Sequence, residues 1–83
     1  MKVKYFAWVR ERIGKAEETV EPPDHVRTVG ELIAWLAARD ESSAHAFETP
    51  KVIRAAIDRT HVQPNAAIAG AREVAFFPPM TGG

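Results

Sequence analysis

Glu73-Val74-Ala75-Phe76-Phe77-Pro78-Pro79-Met80-Thr81-Gly82-Gly83 sets what the remainder of the chain has to supply. Val74 and Phe76 fall on one face of an extended segment and Ala75 and Phe77 on the other, the period-two pattern of a β-strand. The strand runs into Pro78 and Pro79, which hold φ at about −65° and offer no N–H to a ladder, so sheet pairing is expected to stop there. Gly82 and Gly83 have no Cβ to keep their backbone out of a narrow slot. Fully extended, residues 78–83 reach roughly 20 Å. The expected organisation is therefore a domain over 1–77 and an extended tail over 78–83 that delivers a terminal carboxylate into another protein's pocket. The alternative is an ordinary frayed terminus.

Working outward, 83 residues make one domain, which buries only about 60 to 65% of the surface its unfolded chain exposes. Eleven basic residues balance eleven acidic ones. The basic residues are scattered, so neither nucleic acid nor an anionic membrane is the expected partner. No signal-peptide block or membrane-spanning run is present, and a cytoplasmic protein is expected. The chain has no cysteine, which removes disulfides, thiolate nucleophiles and thiolate metal sites together.

Along the chain, Lys2 to Val9 alternates as a first strand. Lys4, Phe6 and Trp8 lie on its outer side, where two aromatics need a cover or a partner. Arg10 to Ile13 reads as a helical turn closed by Gly14, and Ala16 to Glu21 as a returning antiparallel strand. Thr28-Val29-Gly30-Glu31 fits a capping box. From there Val29, Leu32, Ile33 and Leu36 form one apolar stripe, predicting a helix to about Arg39 with Trp35 at its flank. Asp40-Glu41-Ser42-Ser43 interrupts the pattern, and Ala44 to Phe47 makes a further helical turn. Val52 to Ile57 is a third strand with Ile53, Ala55 and Ile57 inward and Arg54 and Asp58 outward. Arg59 to Val62 is a short fourth strand, and 66–72 a connector. The order implies an α+β domain with one main helix on a mixed sheet of about five strands, and first and last strands paired in the middle must run parallel.

His25, His45 and His61 lack metal-ligand spacing and read as surface or loop residues, so no metal is assigned. Glu17-Glu18 and Asp40-Glu41 read as solvated carboxylate pairs. No phosphate loop, nucleophile elbow or nucleophile beside a base occurs, and nothing inside the domain looks catalytic. The chemical group left is the terminal carboxylate. Conversion to an acyl adenylate by a partner that uses ATP would supply a leaving group for sulfur or an amine. Sulfur gives a thiocarboxylate carrier; a lysine amine gives an isopeptide bond, as a protein modifier makes.

The opening strand into Val9-Arg10-Glu11, the capped helix, the 52–57 strand and above all Glu73-Val74-Ala75-Phe76-Phe77-Pro78-Pro79 with terminal Gly82-Gly83 resemble the small, sulfur-carrier subunits of molybdopterin synthase. The resemblance implies a ubiquitin-like β-grasp fold. It also implies adenylylation of Gly83 by an adenylyltransferase of the ubiquitin-activating type using ATP and magnesium, with no cofactor bound by this chain. A sulfur donor protein would then give the Gly83 thiocarboxylate. The tail, Pro78, Pro79, Met80, Thr81, Gly82 and Gly83, would enter the large subunit of a heterotetramer and pass sulfur to precursor Z. Phe6, His61 and Phe77 would lie on the docking face, with His61 standing where the family tends to carry an apolar residue. Asp58 stands where asparagine is common, and Gly70-Ala71-Arg72 replaces the usual acidic glycine turn. Thiamine-pathway sulfur carriers, protein modifiers and non-covalent adaptors of the same fold remain the alternatives.

Overall fold

The computed structural model describes residues 1–79; Met80, Thr81, Gly82 and Gly83 lie outside the described residues. Five strands form one mixed sheet: β1 (Lys2–Tyr5), β2 (Glu17–Thr19), β3 (Arg54–Ile57), β4 (Thr60–Val62) and β5 (Glu73–Phe77), in the spatial order β2-β1-β5-β3-β4. β5 is central and runs parallel to β1, with Tyr5 opposite Phe76, while β3 lies antiparallel on its other side, with Arg54 opposite Phe77. The parallel pairing expected for the first and last strands is thus present. It follows from the long crossover between them, which carries the helices.

Three helices, α1 (Ala7–Ile13), α2 (Val29–Ala37) and α3 (Glu41–Ala46), accompany the sheet. α2 is the main one and starts as the sequence implies. The Thr28 hydroxyl accepts from the Glu31 N–H at 3.1 Å, and the Glu31 carboxylate takes the Thr28 N–H at 3.1 Å. These bonds satisfy backbone donors that a helix N-terminus otherwise leaves open. Val29, Leu32, Ile33 and Leu36 are buried against the inward sheet residues Val3, Tyr5, Ala55, Val74 and Phe76. Tyr5, Phe47 and Phe76 pack as an aromatic cluster, with centroid separations of 6.4, 6.4 and 5.3 Å.

Several expected boundaries are corrected. β1 ends at Tyr5, and Trp8 and Val9 belong to α1. Ala7 turns the chain with φ 52°, so Val9 and Ile13, four residues apart, become the buried stripe of a helix. Gly14 closes that helix in the left-handed region, φ 90°, as anticipated. α3 starts earlier than expected because Asp40 is its cap and not a breaker, its carboxylate accepting from the Ser43 N–H at 2.7 Å. The hydrogen bond from the Ser43 backbone holds the Asp40 carboxyl below the ordinary aspartate value. β3 starts two residues late, because Pro50–Val52 forms a 3-10 turn first. Strand β2 and helix α2 are each shorter than their expected spans, while β5 matches its expected span.

Candidate functional site

The helices cover one face of the sheet and leave the other open. Strand alternation assigns residues to the open face: Lys2 and Lys4 of β1, Glu73, Ala75 and Phe77 of β5, Arg54 and Ala56 of β3, and His61 of β4. Phe6 keeps extended backbone, φ −128° and ψ 154°, beyond β1 and its N–H donates to the Phe76 carbonyl at 3.0 Å. It therefore follows Lys4 on the same face, beside Phe77. At 47% exposure it is the one large hydrophobic residue the domain leaves open among the described residues.

This face is divided. Toward the start of β1 and β5 it is ionic, with Lys4 on Glu73 at 3.1 Å and Lys2 on Glu17 at 3.2 Å. Toward the end of β5 it is apolar. The His61 ring sits 5.1 Å from the Phe77 ring. Ala56 and Ala75 are only 6% and 8% exposed although neither belongs to the helix-side core, which places their methyl groups on the floor of the open-face patch. The apolar half is where β5 runs out into Pro78 and Pro79, both half-buried. The structure therefore brings Phe6, His61 and Phe77 to one end of one face, beside the start of the tail.

Trp8, expected beside Phe6, is instead on α1 and half-buried, with the Arg12 guanidinium 4.4 Å from its ring centroid. Arg54 and Ala75 lie on the outward side that strand alternation assigns to them, though neither was expected to belong to a site, and Ala56 joins them unanticipated. The alternation of β3 and β5 is the signal that finds them. His25, His45 and His61 are all exposed, and among the described residues no group of three or more metal-ligating side chains gathers.

One expectation about carboxylates is overturned. Glu18 is not solvated: it pairs across from Val3 on the helix side of the sheet and accepts the Tyr5 hydroxyl at 2.6 Å. It also accepts from Arg39 at 3.0 Å and from Lys15 at 3.4 Å. Burial alone would raise its pKa, but the bonds from Tyr5 and Arg39 and the charges of Arg39 and Lys15 outweigh it and hold the carboxyl below the ordinary glutamate value. Burial first, and then the Glu18 carboxylate, push the Tyr5 phenol well above its ordinary value. The pair lies on the helix side, opposite the face that carries Phe6 and Phe77, and it ties β1 and β2 to the end of α2.

Comparison with known proteins follows the same outline. The ThiS family matches residues 3–83. The chain is similar to the molybdopterin synthase sulfur carrier subunit of Escherichia coli K12, at 39% identity over 100% of this chain and 99% of that protein. It is also similar to the subunit of the same name from Haemophilus influenzae Rd, at 34% identity over the same shares. Among solved structures, small archaeal modifier protein 1 of Haloferax volcanii superposes with a TM-score of 0.73 at 26% identity, covering 100% of this chain and 98% of that one.

Proposed function

Because the chain belongs to the ThiS family, we propose that it is the sulfur carrier subunit of a molybdopterin synthase, acting in the cytoplasm in molybdenum cofactor biosynthesis. The observation that carries this is the end-to-end likeness to two curated subunits of that name. The arrangement of the described residues suits it: a small apolar face, Phe6 with Ala75 and Phe77, lies beside the point where the last strand leaves the sheet.

The chemistry is that of the terminal carboxylate. A carboxylate oxygen of Gly83 attacks the α-phosphorus of ATP on a magnesium-dependent adenylyltransferase. Pyrophosphate leaves, and the acyl adenylate carries AMP as its leaving group. The terminal sulfur of a donor protein's persulfide then displaces AMP to give an acyl disulfide. A thiol reductant cleaves its S–S bond, leaving the Gly83 thiocarboxylate and the donor in disulfide linkage with that thiol. The large subunit receives the thiocarboxylate, from which sulfur passes to the pterin precursor. The domain's part is to dock. Phe6, His61 and Phe77 seat it on the partner, Pro78 and Pro79 stiffen the exit, and Met80, Thr81, Gly82 and Gly83 supply the reach. The active assembly is a heterotetramer of two small and two large subunits.

Intact mass after incubation with the adenylyltransferase, ATP, magnesium and a sulfur source tests this. One oxygen replaced by sulfur at Gly83 is the expected result. An unchanged mass, with the enzyme active on another carrier, would sink it. The likeness to an archaeal modifier protein favours a second reading, attachment of Gly83 to lysines, which the same experiment in a cell extract separates by Gly83 isopeptide adducts on other proteins.

A further inference from the structure

Charge on the open face is unevenly satisfied. In its ionic half each acid has a lysine, Glu17 with Lys2 and Glu73 with Lys4. On the β3–β4 side of the apolar half stand Arg54 and His61, and among the described residues no carboxylate lies within ion-pair distance of either. The Arg54 guanidinium donates to the Lys51 carbonyl at 3.0 Å, and that is its one protein acceptor among the described residues. The rest of its planar fork of donors is left open. His61 lies against Phe77 and makes no side-chain hydrogen bond among the described residues. Arg54 lies opposite Phe77 across the β3–β5 ladder, and His61 lies opposite Ala56 across the β3–β4 ladder. An apolar centre is thus bordered on one side by a guanidinium with no counter-charge and a ring with no hydrogen-bond partner among the described residues.

Covering such a border with a neutral surface would desolvate a guanidinium without replacing its water. A surface complementary to it carries a carboxylate, which the arginine fork can take in two parallel bonds. Resting on the carrier reading above, we propose that the synthase large subunit meets this face with an apolar patch over Phe6 and Phe77 and an acidic side chain over Arg54 and His61. Arg54 is then a specificity residue: it selects the acidic partner surface and repels a basic one. The contact also steers encounter, so it acts on association and weakens with salt.

The test is binding of the full-length chain to the purified large subunit from the same source, by titration calorimetry at low and high potassium chloride. The variants are Arg54→Glu, Arg54→Gln and His61→Glu. Both positions are exposed, and circular dichroism checks that each variant keeps its fold. Arg54→Glu is expected to weaken binding at least tenfold at low salt and far less at high salt, with Arg54→Gln between it and the wild type and His61→Glu weakened in the same sense. Wild-type affinity, or tighter binding, in Arg54→Glu would overturn the acidic-partner proposal while leaving the carrier reading standing. A wild-type chain that does not bind the large subunit at all would overturn both. Self-association of the chain that Phe77→Ala abolishes and the large subunit does not displace would assign the face to a second copy, and would also overturn it.

Discussion

Asp58 and Arg59 make the two-residue link between β3 and β4, both at positive φ, 46° and 72°. Positive φ at both central residues is the turn whose twist matches the flanking strands. It suits an aspartate, but an arginine Cβ there costs about 1–2 kcal/mol. Arg59→Gly is therefore expected to raise stability by up to about 1 kcal/mol after the glycine's extra unfolded-state freedom is subtracted, read as a shift in the urea midpoint. Asp58 does more than turn the chain. Its carboxylate accepts the backbone N–H groups of Arg72 and Glu73, both at 3.0 Å, and its own N–H donates to the Glu73 carbonyl at 3.0 Å. Asp58→Ala is expected to cost about 1–2 kcal/mol, and Asp58→Asn, which keeps an acceptor oxygen and tolerates the same φ, to cost little. The same denaturation series decides. The residue met as a departure from the family pattern is thus the clamp that starts β5. Its partners are 14 and 15 residues away, so nothing local in the sequence announces it.

At the scale of elements, the bond from Tyr5 to Glu18 makes the packing of β1 and β2 against the end of α2 depend on pH. Glu18 is held below its ordinary value, so its contribution is present above the unfolded value, about 4.3, and is lost as pH falls through the lower folded one. Tyr5 is raised, so its contribution is present below the unfolded value of about 10 and is lost as pH rises past it. Stability measured by urea unfolding across pH is expected to fall at both ends. The alkaline slope approaches about 1.4 kcal/mol per pH unit. Tyr5 is the single tyrosine of the chain, so Tyr5→Phe should flatten the alkaline limb. An alkaline limb unchanged in that variant would show that Tyr5 is not its source. Elements whose signals are local were legible. The Thr28 and Glu31 cap and the Glu73–Phe77 strand were read from neighbouring residues alone, and both stand as read. The segment after Tyr5 was misread because Phe6, Trp8 and Val9 imitate strand alternation. What turns Trp8 and Val9 into a helix, while Phe6 stays extended, is a backbone conformation at Ala7 that no side chain there requires. Glu18 was read as solvated for a similar reason: its partner Tyr5 is 13 residues off and on another strand.

For the domain taken together, two adjacent phenylalanines lie on opposite faces of β5, and under the proposed function they divide stability from docking. Phe76 is fully buried in the helix-side core, while Phe77 is half-buried on the open face. Phe76→Ala should cost about 3–5 kcal/mol of folding free energy, much of what a domain this small has, and leave a chain partly unfolded at room temperature. Phe77→Ala should leave the unfolding transition nearly in place and cost about 2 kcal/mol in binding to the large subunit. Thermal melts paired with calorimetric titrations check both, and an equal loss of stability in the two variants would contradict the division. The open face was legible from β-alternation, and so was the outward position of Arg54; that no acid stands beside Arg54 among the described residues was not, since this depends on which side chains the sheet brings near it.

The parallel pairing of β1 with β5 also governs how the domain answers to force. Lys2 faces Glu73 and Tyr5 faces Phe76, so the amino terminus leaves this central pair at one end and the tail at the other. Tension between the two termini runs along the strands, and their ladder bonds resist together in shear. The β3–β4 hairpin, drawn from its open end, would give way bond by bond. Forced unfolding proceeds at the rate of barrier crossing and not by equilibrium stability. An unfolding machine that grips the tail while the amino terminus is held therefore loads the β1–β5 pair in shear, a harder path than peeling the hairpin.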